Sequence, residues 1–375
     1  MRIIFVLRSI VLSGGIERVV TEKANWLANN DHQVLFLTYE QSSHALSFLL
    51  NSNVCYEDLN CQYYTVYQKG LLVRQILKFV YKIKFWNRLR HKISSFGPDV
   101  LVIPSNLEEF MGVATSMIKY VPVVFECHST HVEFFESSKN MKKRLRNHMI
   151  MSFVKRCSLL ITLTKGDAFY WRQACRKVVT IPNPLSYYPE TIYKKSTIEN
   201  TIICVARLQT VKRLDRLIEA FSLISDKYPD WHIEIYGDGK EKNTLFDLIE
   251  DRGLLGRIFI YPPTMDIYKK YMESEFVVLS SDSEGFSLVL IEAMSCGVPV
   301  VSVSCPFGPS EIVENGVTGL LAKMEASDLA EKMEWMIVHD KERHEMGKQS
   351  RIVAKRYQKD VVMKEWEKAY QSVLL

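Results

Sequence analysis

The sequence predicts an α/β protein built from two doubly wound parallel-sheet domains in tandem. Three observations carry this. Short apolar runs recur along the chain and alternate with stretches of helical periodicity. At the N-terminus a strand, a glycine turn, a helix and a second strand follow within about forty residues, the signature of a βαβ unit. The alternation breaks once, near residue 185, in the proline-containing polar stretch IPNPLSYYPETIYKKSTIENT, and then restarts.

In the first domain, placed at 1–187, strand RIIFVL leads through SGG into the helix IERVVTEKANWLAN. Its residues Val19, Val20, Ala24 and Leu27 recur at helical spacing. QVLFLTY is the next strand, and DVLVI, VPVVFE, LLITLT and VVTI read as further buried parallel strands. In the second domain, placed at 188–358, the strands are TIICVA, HIEIYG, IFIYP, FVVLSS and PVVSV. The helices between them are LDRLIEAFSLISDKY, NTLFDLIEDRG, MDIYKKYMES and FSLVLIEAMSCG. The tail from Lys332 reads as mostly helical, and its last helix, residues 359–375, is expected to pack back on the first domain. Ligands of such sheets bind outside the carboxyl ends of the strands, so two facing domains would hold one ligand in the cleft between them.

A chain of 375 residues with 47% hydrophobic and 24% charged residues fits a soluble globular protein of two or three domains. No run reaches the ~18 apolar residues that span a bilayer. Arg8 interrupts the N-terminal apolar stretch and no small-residue cleavage site follows, so a cytoplasmic protein starting at Met1 is expected. The eight cysteines show no CxxC and no Cys/His ligand spacing, and read as buried free thiols. Charge is uneven: residues 1–190 hold 24 Lys and Arg against 14 Asp and Glu, and residues 191–375 hold 24 against 29. A basic half points to an anionic surface or substrate.

The segment KGLLVRQILKFVYKIKFWNRLRHKI, residues 69–93, carries eight Lys and Arg and no acid. Leu72, Ile76, Phe79, Val80, Ile83, Trp86 and Ile93 recur at helical spacing, flanked by Arg74, Lys78, Lys82, Arg88 and Lys92. Such a helix suits an anionic membrane interface, or equally a domain helix whose apolar face packs on the sheet. A second basic run, KNMKKRLRNH, favours the surface reading. Nucleic acid is not an expected partner, with no aromatic-basic recognition motif present.

The chemistry concentrates in SDSEGFSLVLIEAMSCGVPVVS, residues 281–302. Glu284 falls past the carboxyl end of a strand, and Gly285, Phe286 and Ser287 are read as opening the next helix with unpartnered N–H groups. A helix start of this kind binds anions or sugar hydroxyls. Glu292 would lie about 12 Å further along if every residue between were helical. That is too long for a glycosidase acid/base pair at roughly 5–9.5 Å, and suits two ends of one extended ligand. On residue type alone, Glu292 reads equally well as an ordinary surface residue.

The segment resembles the EX7E signature of glycosyltransferase family 4, the retaining GT-B enzymes, with Glu284-GFSLVLI-Glu292 standing in the motif. Four other segments match in order: GGIE at 14–17, ECHSTH at 126–131, VARLQTVKRLDRLIEAF, and GPSEIVENGVTGLL at 308–321. The resemblance implies that Gly14 and Gly15 approach the donor phosphates and that His128 sits near the donor sugar. His131 is its rival, and Glu126 reads equally as structural. It implies that Arg207 and Lys212 clamp the diphosphate, as two cations after strand TIICVA can. Glu292 would hold the ribose hydroxyls and Glu284 the donor sugar, with the N–H groups of Gly285, Phe286 and Ser287 along the sugar and phosphate.

The implied activity is transfer of a sugar, with retention, from a nucleotide-diphospho-sugar (UDP-sugar favoured by GPSEIV) to a saccharide or lipid-linked acceptor. The implied setting is bacterial surface polysaccharide assembly at the inner face of the membrane, with no cofactor. Asp282-Ser-Glu284 mimics an acidic metal-binding triplet, but the family neutralises its leaving group with protein cations, so no metal is expected. Gly237-Asp-Gly reads as a glycine turn on the nucleotide side. Ala206 and Asn183-Pro184 depart from the family's usual glycines and put local turn geometry in doubt. The rival functions are an epimerase or phosphorylase of the same fold, and a non-catalytic glycan-binding protein.

Overall fold

The structure is a computed structural model that describes residues 1–11, 14–61, 65–66, 70–104, 115–134, 141–175, 177–190, 192 and 200–374. The chain divides into two compact units, Met1–Pro184 with Asp360–Leu375, and Leu185–Lys359. The division falls at Pro184 rather than residue 187 because Leu185 is buried in the core of the second unit, where its N–H donates to the Tyr357 carbonyl (2.7 Å).

Among the described residues the first unit holds seven strands: β1 (Arg2–Leu7), β2 (Gln33–Thr38), β3 (Val54–Asp58), β4 (Val100–Pro104), β5 (Val123–Cys127), β6 (Leu159–Thr162) and β7 (Val178–Thr180). They pair in the order β3-β2-β1-β4-β5-β6-β7, all parallel. The order reverses between β1 and β4, the switch point where such sheets bind ligands. Edge strand β3 escapes the sequence reading because only Val54 in it is fully buried, so it lacks the apolar run of its neighbours. The helices are α1 (Gly15–Asn29), α2 (Leu71–Phe96), α3 (His131–Phe134), α4 (Met141–Val154) and α5 (Lys165–Arg172).

The basic segment is α2, and its apolar stripe does not act as one face. Phe85, Leu89 and Ile93 belong to the core, with Trp86 packed against it. Val73, Ile76, Phe79, Val80 and Ile83 are between 45% and 66% exposed. At four-residue spacing, Arg74, Lys78 and Lys82 continue the side of α2 that carries Phe85, Leu89 and Ile93. The helix therefore inverts its polarity: apolar inward in its C-terminal half, apolar outward in its N-terminal half. Lys69 and the side chain of Leu72 lie outside the described residues, as do Lys139, Asn140 and the side chains of 141–143 in the second basic run. No described helix is long and apolar enough to cross a membrane.

Two charges interrupt the apolar pattern of the first unit and meet each other. Lys23 lies on the inner face of α1 among Val19, Val20 and Leu27, and Glu126 lies inside the fully buried strand β5. The Lys23 ammonium donates to Glu126 Oε2 at 2.5 Å, with both side chains fully buried. The last helix of the chain (Lys359–Gln371) closes over them. Its Tyr370 hydroxyl donates to Glu126 Oε1, and its Trp366 ring lies 3.6 Å from Lys23 Nζ. Burial alone would raise the Glu126 carboxyl, but Lys23 and His128 hold it down to about 2. Burial pushes the Lys23 ammonium down.

Among its described residues the second unit pairs six strands in parallel in the order β10-β9-β8-β11-β12-β13. They are β8 (Asn200–Val205), β9 (Trp231–Tyr236), β10 (Ile258–Tyr261), β11 (Phe276–Leu279), β12 (Val300–Val303) and β13 (Gly319–Ala322). Strand β13 also escapes the sequence reading. Gly319 begins it where a Cβ would stand 2.2 Å from the Val300 carbonyl, so glycine here marks close strand pairing rather than a break. The helices are α6 (Leu214–Ser222), α7 (Lys242–Asp251), α8 (Ile267–Met272), α9 (Leu288–Ser295), α10 (Gly308–Ile312), α11 (Ala326–Val338) and α12 (Asp340–Ala354), and the last helix becomes α13. Of the eight cysteines, all free, Cys55 is exposed and the other seven are buried, which corrects the expectation for Cys55.

Removing Lys23 leaves a buried carboxylate uncompensated, so Lys23→Met should destabilise the first unit by about 3–5 kcal/mol at pH 7. The Glu126 carboxyl is lowered in the folded state, so its stabilisation is complete above its ordinary value of 4.5 and fades as pH falls toward 2. Thermal melts should show the gap between wild type and Lys23→Met narrowing from pH 5 to pH 2.

Candidate active site

In the second unit, the loop after β8 and the loop after β11 meet at the switch point. The first runs through Ala206, Arg207 and Leu208 into a 3₁₀ turn at Thr210–Lys212. It is held by the loop after β9: Ala206 N–H donates to the Tyr236 carbonyl and Leu208 N–H to the Asp238 carbonyl. A Cβ on Gly237 would stand 1.9 Å from the Ala206 carbonyl oxygen, and one on Gly239 would stand 2.2 Å from that of Leu208. The Gly-Asp-Gly turn thus serves to let the Arg207 loop approach.

Lys212 and Glu284 are brought together. Lys212 Nζ donates to Glu284 Oε1 at 2.8 Å, and Ser281 Oγ donates to the same oxygen at 2.6 Å. Glu284 Oε2 makes no hydrogen bond among the described residues, which leaves it able to accept one. Ser280 Oγ donates to the Lys212 carbonyl, and Asp282 N–H to that of Val211, so the two loops are sewn to each other. Arg207 is exposed, and its guanidinium makes no hydrogen bond or ion pair among the described residues.

Asp282 is engaged by two arginines. Arg213 and Arg216 grip its carboxylate at 3.2 and 2.5 Å, and they hold it ionised below its ordinary value against the opposing effect of burial. Arg213 itself sits in the left-handed region (φ +48°), a strained place for a side-chain-bearing residue, locked by Asp215 and Asp282. Among the described residues, Glu275, Asp340 and His344 alone lie close enough to share an ion, and Arg343 already pairs with Glu275 and Asp340.

The helix start is displaced from its expected place. Helix α9 begins at Leu288, with Ser287 as its N-cap residue, so Gly285, Phe286 and Ser287 form the loop before it. The unpartnered helical N–H groups belong instead to Leu288, Val289 and Leu290. The Phe286 ring packs edge-on against Tyr357 (5.7 Å). The loop is pinned by a bridge between Glu284 and Phe307, the latter also left-handed at φ +78°. Glu292 is 4% exposed, and the Tyr271 hydroxyl donates to its Oε2 at 3.2 Å. It is not a surface residue, and the condition behind the 12 Å spacing is not met, because the helix takes in only the part of the span from Leu288 on.

In the first unit, Gly14 is the N-cap residue of α1 and Gly15 its first residue, while Ser13 lies outside the described residues. His128 follows β5 directly. Its side chain is buried, with Nε2 3.0 Å from Glu126 Oε2. Burial pushes the imidazole below its ordinary value, so it is neutral at pH 7. The rival His131 begins α3, its ring stacked on Tyr170 (5.4 Å) and edge-on to Trp171 (5.0 Å), which is a packing role. The sequence reading missed Lys23, Tyr370, Ser281 and the Arg213/Arg216 grip. Lys23 carried a signal, a charge inside an apolar stripe. Arg216 carried none, because it lies opposite the stripe of Leu214, Leu217 and Ile218.

Residues 13–186 match the family model described as Glycosyltransferase Family 4, and residues 190–353 match that of Glycosyl transferases group 1. The chain belongs to glycosyltransferase family 4. This glycosyltransferase is 25% identical over 97% of its length to an uncharacterised glycosyltransferase of Haemophilus influenzae, covering 98% of that protein. It is 22% identical to the N-acetyl-alpha-D-glucosaminyl L-malate synthase of Bacillus anthracis, over 96% of this chain and 94% of that one. It is 21% identical to the amylovoran biosynthesis glycosyltransferase AmsD of Erwinia amylovora, over 97% and 98%. Its fold is the GT-B fold. Sucrose-phosphate synthase from Thermosynechococcus elongatus superposes with a TM-score of 0.82 at 17% identity, over 99% of this chain and 98% of that one. Anabaena HepE in complex with UDP superposes at 0.77 and 19%, over 99% and 100%.

The Gly237 turn yields a test of this geometry. Gly237→Ala should push the Arg207 loop away from β9, at a cost of about 1–3 kcal/mol for the overpacked site. A lowered melting temperature in thermal melts is the expected result.

Proposed function

We propose that this enzyme transfers a sugar from a nucleotide-diphospho-sugar, with UDP the favoured nucleotide, to a saccharide or lipid-linked acceptor with retention of configuration. The observation that carries this is the meeting of Lys212 with Glu284 at the switch point, on a loop that also carries exposed Arg207. A cation pair on one loop suits the diphosphate, and an acid on the next suits sugar hydroxyls. The UDP complex of HepE supports the nucleotide, and AmsD supports polysaccharide assembly as the setting.

In this reading Arg207 and Lys212 stabilise the diphosphate as it departs, and Glu284 Oε2 accepts from the donor sugar. The loop N–H groups of Gly285, Phe286 and Ser287 line the donor, Glu292 holds the ribose, and Gly14 and Gly15 approach the phosphates. His128 contacts the donor sugar. The acceptor hydroxyl attacks the anomeric carbon from the face the diphosphate leaves. The C–O bond to phosphate breaks as the new glycosidic bond forms, and the leaving phosphate takes the acceptor's proton. No metal takes part, since Asp282 is held by two guanidinium groups. The protein works in the cytoplasm, and α2 docks it on the inner face of an anionic membrane.

Arg207→Ala and Lys212→Ala should each weaken UDP binding by roughly 10- to 150-fold, the equivalent of about 1.5–3 kcal/mol for a charge-assisted contact. Calorimetry with UDP and GDP, and release of nucleoside diphosphate from donor with EDTA present, check this. Wild-type affinity in both variants would remove the clamp, and metal-restored activity would restore the acidic triplet. An epimerase would instead release free epimer, and a phosphorylase would require phosphate.

For α2, each Lys or Arg near an anionic surface contributes about 1 kcal/mol, weakened by salt. Changing Lys78, Lys82, Arg88 and Lys92 to Gln should release the protein from anionic vesicles at low salt. Equal sedimentation of variant and wild type would sink membrane docking.

A further inference from the structure

We propose that Lys23, Glu126 and Tyr370 are positioning residues that hold the imidazole of His128 as a single tautomer, protonated at Nε2. The proposal rests on the reading of His128 as a donor-sugar contact. Three separate elements converge on one carboxylate. Strand β5 supplies Glu126, and His128 stands two residues on, just past the strand. Helix α1 supplies Lys23 and helix α13 supplies Tyr370. The carboxylate is divided between them: Oε1 accepts from the Tyr370 hydroxyl, while Oε2 accepts from Lys23 (2.5 Å) and faces His128 Nε2 (3.0 Å).

The tautomer follows from what each group can give. An ionised carboxylate has no proton to donate, so a nitrogen within hydrogen-bond distance of it must carry the hydrogen. Lys23 keeps Glu126 ionised in a fully buried site, where an unpaired carboxyl would take up a proton. A protonated Glu126 could donate to Nε2 instead, and His128 would then carry its hydrogen on Nδ1. Tyr370 fixes the other oxygen, and with it the plane of the carboxylate. The ring is neutral, so with Nε2 protonated its Nδ1 bears the lone pair. His128 then acts toward a sugar hydroxyl as an acceptor rather than as an acid.

The geometry also gives α13 a part in the site. Its ring pair, Trp366 over Lys23 and Tyr370 against Phe5, together with the Trp366 indole N–H donated to the Pro182 carbonyl, seats Tyr370 against Glu126. A residue at the far end of the sequence thereby sets the donor and acceptor character of a side chain at the end of β5.

Nitrogen-15 NMR of the full chain, with the His128 signals assigned by Glu126→Gln and His128→Asn spectra, reads the tautomer directly. Wild type should show Nε2–H, unchanged between pH 6 and 8. Tyr370→Phe removes one oxygen atom and is expected to mix the tautomers and lower kcat about tenfold, with donor KM within about twofold. Glu126→Gln should mix them further, since an amide can either donate or accept. A wild-type ring protonated at Nδ1, or a tautomer and kcat unmoved in Tyr370→Phe, would overturn the proposal. Should Glu126→Gln fail to fold, Tyr370→Phe decides alone. Full transfer activity in His128→Asn would instead remove the role of His128 in the reaction, and the spectra would still judge the tautomer.

Discussion

All strand pairings in both sheets are parallel, so each strand must return through a crossover and all carboxyl ends fall on one edge of their sheet. The arrangement of this enzyme depends on that constraint. His128 follows β5, Arg207 and Lys212 follow β8, Glu284 follows β11, and Gly14 opens the helix after β1. None of these positions needs a special fold of its own. Each lies a few residues past a strand whose burial is fixed by its Val, Ile and Leu content. The strand order reverses between β1 and β4 and again between β8 and β11, which opens the space that the loops occupy.

What the sheets place, charged side chains then hold. In the second unit two guanidinium groups clamp Asp282 and tie the loop that carries Glu284 to α6 and the turn before it. Left-handed backbone at Arg213 and Phe307 marks where these loops are bent against their preference, and both residues flank the Lys212–Glu284 pair in space. Such strain persists only where surrounding contacts over-determine it. In the first unit the same function falls to Lys23, Glu126 and Tyr370, which close α1, β5 and α13 around one buried ion pair.

Helix α2 shows a different use of charge. Its C-terminal half supplies Phe85, Leu89 and Ile93 to the core, while its N-terminal half turns Ile76, Phe79 and Val80 outward. An ordinary amphipathic helix keeps one face apolar throughout, since solvent and core lie on fixed sides. Here the apolar side changes along the helix, so packing on the sheet cannot account for the N-terminal half. The proposed membrane contact gives those residues an apolar phase to meet.

The sequence by itself determined the α/β class, the central strands, the glycine turn before α1 and the family motif around Glu284, because each rests on local pattern: apolar runs, turn residues and spacing. It also held a cue to the buried network. Lys23 breaks the stripe of Val19, Val20 and Leu27, and Glu126 breaks the strand VVFEC, though nothing local says that these two charges meet. Edge strands β3 and β13 stayed hidden, since an edge is only partly buried and its sequence need not be a continuous apolar run. Tertiary structure alone decided that α9 starts at Leu288 rather than Gly285, because Glu284 is bridged to Phe307 and the backbone at Ser287 is still extended (φ −83°, ψ 100°). It alone decided that Arg216 is buried, because the loop after β11 folds over the face of α6 that the pattern assigned to solvent. Partners far apart in the chain fix these features, and a reading of neighbours three or four residues away carries no information about them.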